Sequence, residues 1–311
     1  MLGIIINPMS GKRAFRHQRL YLFRLLKEKD IPFEYRVTKY AGHATEIARE
    51  MVEKGIRKVL VLGGDGTMSE VVNGLMSANV PDRESIQFGL MPRGTGNDWG
   101  RFWGLTRDHH KSLDVFFNHG KAQPIDIGDL IYYRNGEEHH QYFANSVGMG
   151  IDAFTVARAH VMKYYLGSHS ILYFFALLSA VFRWKAMPLP LRTDDGFSLN
   201  ENLFTMNIGN GPYSGGGIRQ NPEADPRDGI FHAMFVKQPT FSQLCKAIPK
   251  LFNGQLTSLP FIYTYTAKEV ELLTKEHVGF ELDGILLDAC GPFKVRLIPH
   301  ALQMIVPEDM K

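Results

Sequence analysis

The stretch LVLGGDGTMSEVVNGL, residues 60–75, carries an aliphatic run into two glycines, sets one carboxylate, Asp65, behind them, and then turns amphipathic. Leu60, Val61 and Leu62, preceded by Val59 and closed by Gly-Gly, read as a buried strand. Thr67 and Glu70 have the T-x-x-E spacing of a capping box, which predicts a helix from Thr67 with Val71, Val72 and Leu75 turned inward. A strand, a glycine turn and a helix N-terminus in succession make a concave anion site, because backbone N–H groups and helix dipole point the same way. An acid in such a turn needs a reason: beside phosphates it repels them unless a cation intervenes or a proton is being moved.

Working outward, the first 120 residues repeat this alternation. LGIIIN and FEYRVT read as strands, and residues 12–29 as an amphipathic helix between them. Residues 43–54 read as a helix with Ala44, Ile47, Ala48, Met51 and Val52 on one side, and KVLVLGG and IQFGLMP as further strands. Such alternation predicts βαβ units on a parallel sheet, whose ligands bind beyond the carboxyl ends of the strands.

Near Pro124 the pattern changes. IDIGDLIYYR, the turn pair Asn135-Gly136, and HHQYFANSV read as a β-hairpin. Two helical segments, about 152–166 and 170–185, precede the strand-like runs PLPLRT, LFTMNIG, GIFHAMFV, FIYTYTA, VELLT, HVGFELD and FKVRLI. The fold class expected is therefore α/β plus β-rich in two domains. An N-terminal α/β domain with a parallel sheet covers 1–123, and a mostly antiparallel, sandwich-like domain with helices covers 124–299.

Three glycine turns sit at strand ends of the first domain: NPMSGK at 7–12, GGDGT at 63–67 and RGTGND at 93–98. On a parallel sheet all three converge on one edge. Neither G-x-x-x-x-G-K-[ST] nor a G-x-G-x-x-G after the first strand occurs, which excludes a P-loop and a dinucleotide fingerprint. Two of the turns carry acids, Asp65 and Asp98. A Mg²⁺ ion arriving with a nucleotide accounts for them, since that ion binds through one or two carboxylates together with phosphates and water. A helix cap or turn role for Asp65 is the structural alternative.

The net charge of +3 is too small to argue for nucleic acid and compatible with an anionic membrane surface or a phosphate ligand. Cys245 and Cys290 form no framework and read as reduced thiols. MLGIIINP lacks a basic n-region and its apolar run is too short for a signal peptide, so a cytoplasmic chain is expected. SILYFFALLSAVF, residues 170–182, falls short of the about 20 apolar residues that span a bilayer, and reads as a buried, groove-lining or interface-skimming helix. His43 and the pairs His109-His110 and His139-His140 lack metal-ligand spacing, which argues against zinc. Trp99, Phe102 and Trp103 read as core, with an apolar groove floor as the alternative.

NPMSG, GGDGTMSEVVNGL and PRGTGNDWGRFWGL, in this order and spacing, resemble the catalytic domain of diacylglycerol kinases and sphingosine kinases, most of all the soluble bacterial lipid kinases. SGGGIRQNPEADPRDG at 214–229 and LDG at 282–284 extend the resemblance over nearly the whole chain. It implies ATP in a cleft between the two domains, with ALQMIVP returning to the first domain over about 300–311. ATP would lie against Asn7, Ser10, Gly11, Thr38, Gly64, Asp65, Gly66, Thr67, Glu70, Thr95, Asn97 and Asp98. A structural Mg²⁺ would sit at Asp225, Asp228 and the backbone of Ile230. The catalytic base would be Asp283, with Asp65 organising Mg²⁺ or sharing that role.

The activity implied is transfer of the ATP γ-phosphoryl group to a lipid hydroxyl, with diacylglycerol giving phosphatidic acid, by an enzyme associating peripherally with the membrane; a homodimer is left open. One departure bears on this. Relatives read Asp-Gly-Glu where this chain has Asp283-Gly284-Ile285. On a strand, positions 283 and 285 share a face, so the second carboxylate beside Asp283 would be replaced by an aliphatic group. Two alternatives stand: an NAD kinase-like enzyme, which shares GGDGT and a β-rich second domain, and a catalytically impaired ATP- or lipid-binding relative.

Overall fold

A computed structural model describes residues 1–11, 15–94, 96–166 and 171–310. The chain divides into two compact units, Met1–Ile125 with His300–Lys311, and Asp126–Pro299.

The first unit alternates strand and helix. It runs β1 (Leu2–Ile6), α1 (Phe15–Glu28), β2 (Phe33–Val37), α2 (His43–Glu53), β3 (Lys58–Gly63), α3 (Asp65–Ser77), β4 (Gln87–Pro92), α4 (Asp98–Phe102) and α5 (His109–Phe117). β1 lies between β2 and β3, β4 follows β3, and all these pairs are parallel. β1 leads into α1 toward β2 on one side, while β3 lies on the other. The connections therefore diverge between β1 and β3, a topological switch point of the kind that leaves a crevice beyond the strand ends.

Alternate residues of the buried strands face different layers. Ile4, Ile6, Leu60, Leu62 and Met91 meet Leu22 and Leu26 of α1 and Leu113 and Phe116 of α5 in one core. α2 buries Ala44, Ile47, Ala48, Met51 and Val52, the five positions its periodicity marks. It closes on α3 at Gly74, where a Cβ would stand 2.3 Å from the Thr45 carbonyl oxygen.

The second unit continues with β5 (Gly120–Arg134), which enters from the first, β6 (Glu137–Phe143), β7 (Ser146–Gly150), α6 (Ile151–Leu166) and α7 (Ile171–Val181). Short strands β8 (Met187–Pro188), β9 (Leu191–Thr193) and β10 (Ser198–Leu199) precede β11 (Asn202–Gly209) and β12 (Phe231–Lys237). α8 (Phe241–Ala247), β13 (Ile262–Ala267), β14 (Glu269–Leu272), β15 (His277–Leu282) and β16 (Ile285–Pro307) complete the chain. The run β13-β12-β11-β7-β15-β16 is antiparallel throughout. β14 joins β9 to β16, also antiparallel. Leu130, Phe143, Val147, Met206, Phe231, Leu272, Phe280 and Phe293 share the core between these layers.

The hairpin at 135–136 forms as read. Asn135 and Gly136 have φ of 54° and 82°, the left-handed pair of a type I′ turn. HHQYFANSV, however, is two strands: the chain breaks at Ala144-Asn145 between β6 and β7, and β7 pairs with β11 and β15. The C-terminal segment of β16 pairs parallel with β4 through Gln303 and Met304.

Candidate active site

The three glycine turns of the first unit meet backbone to backbone. A Cβ on Gly64 would stand 2.7 Å from Gly94 Cα, and one on Gly11, whose φ is +79°, would stand 2.6 Å from the Arg93 carbonyl oxygen. Only glycine permits both approaches. Polar side chains tie the turns together. Asn7 Nδ2 donates to Thr67 Oγ1 at 2.8 Å, Ser10 Oγ lies 3.4 Å from the same hydroxyl, and Arg93 Nε donates to the Ser10 carbonyl at 3.2 Å. Arg93 is only 7% exposed, so a guanidinium stands behind the turns. Thr38, where β2 ends, is buried and donates its N–H to Ile6 at 2.9 Å, beside Asn7. Gly66, in the first turn of α3, is exposed.

Asp65 answers the question its turn raises in an unexpected way. Its Oδ1 accepts the Trp99 N–H at 3.3 Å, bridging the second turn to the third at the start of α4. Burial pushes its carboxyl upward in pKa, and backbone N–H groups of Asp98, Trp99 and Asn97 oppose that shift. A carboxylate at a helix N-terminus meets unsatisfied donors and a favourable dipole. Asn97 caps α4 with φ 52°, its Nδ2 donating to the Gly94 carbonyl at 2.9 Å, and Asp98 is buried within the helix. Thr95 lies outside the described residues.

The capping box does not form. α3 begins at Asp65 with Gly64 as N-cap, two residues earlier than Thr67. Glu70 instead accepts the N–H groups of Gly42 at 2.9 Å and Ala44 at 3.1 Å, capping α2, whose own N-cap is a glycine with no side chain to offer. Thr67 is freed to organise Asn7 and Ser10.

In the second unit, Asp283 stands not on a strand but in the turn between β15 and β16. Leu282 pairs with Ile285, and Asp283 and Gly284 between them have φ of 50° and 90°, a two-residue type I′ hairpin loop. The shared face expected of 283 and 285 is therefore absent. Asp283 Oδ2 accepts the Ala144 N–H at 2.7 Å, and Oδ1 accepts those of Asn145 at 3.0 Å and Ser146 at 2.9 Å. The break between β6 and β7 thus supplies three successive donors that fix the carboxylate. Asn210, fully buried, locks this break by donating to the Ala144 carbonyl at 2.6 Å and the Asp126 carbonyl at 2.8 Å. Ile285 is half-buried. The carboxylate nearest this turn in sequence is Glu281, buried on β15 and hydrogen-bonded to the Gly284 N–H.

The acidic loop does not fit a magnesium ion as it is arranged. Asp225 is gripped by Arg227, whose Nε reaches Asp225 Oδ1 at 2.7 Å and whose Nη2 reaches Oδ2 at 2.5 Å. Asp228 accepts the Ile230 N–H at 3.0 Å and lies 3.1 Å from His232 Nε2. Both carboxylates already have hydrogen-bonding partners. Among the described residues no group of three His, Cys, Asp or Glu side chains is placed to hold a metal.

Trp99 and Trp103 are core, 2% and 0% exposed. Asn145, Asn210, Arg93 and Gly94 escaped the sequence reading. Of these, Arg93 and Gly94 lay within a motif already singled out, whereas the two asparagines stand in strand-end positions with no spacing signal.

Residues 1–130 match the family described as "Diacylglycerol kinase catalytic domain", and residues 145–306 match "YegS C-terminal NAD kinase beta sandwich-like domain". A protein of Chromohalobacter salexigens named "Probable lipid kinase YegS-like" is 30% identical over 305 residues, covering 96% of this chain and 92% of that protein. A diacylglycerol kinase of Mycobacterium tuberculosis is 28% identical over 309 residues, covering 97% and 94%. A crystal structure of a diacylglycerol kinase from Bacillus anthracis superposes with a TM-score of 0.71 at 20% identity, over 99% of this chain and 97% of that one, and so shows the same fold. Glycine turns packed backbone to backbone at the strand ends of a parallel sheet, a sandwich bearing an Asp-Gly turn, and these matches over both units agree: the chain belongs to the diacylglycerol kinase catalytic-domain family of lipid kinases.

Proposed function

We propose that the protein transfers the γ-phosphoryl group of ATP to the hydroxyl of a membrane lipid, with diacylglycerol as acceptor and phosphatidic acid as product. The observation that carries this reading is the convergence of the 7–12, 63–67 and 93–98 turns at the β1/β3 switch point, with Arg93 behind them. Phosphoryl transfer asks little covalent work of a protein and much positioning of phosphates and acceptor.

In this reading Asn7, Ser10, Gly11, Thr38, Gly64, Gly66, Thr67, Thr95, Asn97 and Asp98 form the nucleotide cradle. Glu70 shapes it from a distance by anchoring α2 to α3. The acceptor oxygen bonds to the γ-phosphorus, the bond from that phosphorus to the bridging oxygen breaks, ADP leaves, and the hydroxyl proton passes to the Asp283 carboxylate. Asp65 keeps two of the turns in register. Mg²⁺ accompanying the nucleotide would neutralise charge on its phosphates. The protein then works at the membrane surface from the aqueous side; no helix among the described residues is long and apolar enough to cross a bilayer.

The test is to incubate the purified protein with γ-labelled ATP, Mg²⁺ and a total lipid extract and to identify what is labelled. Label in phosphatidic acid is expected. A labelled lipid of another class would move the acceptor; phosphorylation of added NAD in place of any lipid would favour the NAD kinase-like reading, which GGDGT and the β-rich second unit keep in view.

A further inference from the structure

Helix α7 wears its hydrophobicity on the wrong side for a soluble core. Ala176 and Ala180 face inward and are fully buried, joined by Val181 at 9% exposure, while Phe175 and Phe182 stand 51% and 64% exposed. Phe182 directly follows the last residue of α7, seven positions after Phe175, so the exposed rings lie outward where the small residues lie inward. α8 and the segment after it add further exposed rings beside them. Phe241 is 67% exposed with its ring 6.1 Å from that of Phe182, and Phe252 is 50% exposed with its ring 6.4 Å from that of Phe174. Aromatic side chains do not gather at a surface in this way without a covering partner.

Charge identifies the partner. From residue 153 to 193 and from 229 to 268 the sequence contains no Asp or Glu, while Arg183 and Lys185 follow Phe182 and Lys246 shares α8 with Phe241. All three are exposed, and among the described residues no ion pair neutralises them. Two copies of the chain meeting across a two-fold axis on this patch would oppose these cations with no acid from either segment. Aromatic rings level with a fringe of Arg and Lys match instead the boundary of a bilayer, where acyl chains meet anionic headgroups.

We propose that the outward face of α7 together with α8 is the membrane-docking surface. Phe175, Phe182, Phe241 and Phe252 enter the headgroup–acyl boundary of an anionic bilayer, and Arg183, Lys185 and Lys246 contact its phosphates. The inference rests on the lipid-kinase reading for its purpose, but its evidence is separate.

The experiment measures sedimentation of the full chain with phosphatidylcholine vesicles, with and without phosphatidylglycerol, alongside phosphorylation of a short-chain diacylglycerol dispersed as monomers. Wild type should bind the anionic vesicles at least about tenfold better than the neutral ones, and lose that preference as salt rises from about 0.1 to about 1 M. F182S/F241S and R183E/K185E should each bind at least about tenfold more weakly while phosphorylating the monomeric lipid as wild type does, with unchanged thermal unfolding. Variants that bind like wild type would overturn the surface, as would a wild-type dimer in sedimentation velocity that F182S/F241S converts to monomer. Vesicle binding that depends on these residues in a protein with no activity on the monomeric lipid would support the surface and count against the kinase reading alone.

Discussion

Asp65 holds the Trp99 N–H through Oδ1, a bond that the amide oxygen of asparagine can keep while the charge is lost. Asp65→Asn should therefore lower turnover by about a hundredfold or more, the scale of losing a charge-positioning group, with a thermal midpoint close to wild type. Near-normal turnover would leave Asp65 as a cap and nothing else. Asp283 poses a different test. Three backbone donors from the β6–β7 break orient its carboxylate, and no second acid follows it at 285. Asp283→Asn should abolish phosphoryl transfer while Ile285→Glu preserves or raises it; unchanged activity in Asp283→Asn would move the base elsewhere. Asp65 was legible because glycines and a lone acid share a short stretch, but its partner was not, lying 34 positions away. The donors to Asp283 lie 137 to 139 positions away, beyond any local pattern. Its turn was legible and missed: Asp-Gly between two apolar runs obeys the rule that identified Asn135-Gly136.

At the scale of elements, the helices and strands of the first unit follow their apolar spacing, and the five buried positions of α2 are those its sequence marks. Capping is where local reading failed, since Thr67 and Glu70 satisfy the spacing of a box yet Glu70 turns to α2, where Gly42 leaves donors open. Tertiary demand outweighed the local option. α6 carries a further consequence in its first turn. Asp152 is buried, and desolvation pushes its carboxyl up to about 6, against hydrogen bonds from Gln220, Asn207 and Thr205. Unfolded, such a group titrates near 3.8, so between those values the folded chain retains a proton that the unfolded chain has lost. Stability is thus highest below the unfolded value and falls as pH rises through about 6, by on the order of 3 kcal/mol for a shift of about two units. Thermal unfolding across about pH 4 to 7 should show this slope in wild type and a flatter one in Asp152→Asn; parallel profiles would contradict it.

At the scale of the molecule, composition and alternation were enough to separate an α/β half from a β-rich half, because period-3.6 and period-2 patterns are written in the apolar residues themselves. The acidic loop at 225–228 shows the opposite case. Three acids, Glu223, Asp225 and Asp228, within the Pro/Gly segment 222–229 have the composition of a cation site, yet Arg227 and His232 take up the carboxylates of Asp225 and Asp228, and no composition rule reports which neighbour claims an acid first. The most direct measurement supplies the purified protein with γ-labelled ATP, Mg²⁺ and either diacylglycerol or NAD, in wild type and in Asp283→Asn. Labelled phosphatidic acid from wild type, none from Asp283→Asn and no labelled NADP from either is the expected result; labelled NADP, or no labelled lipid from wild type, would contradict the account.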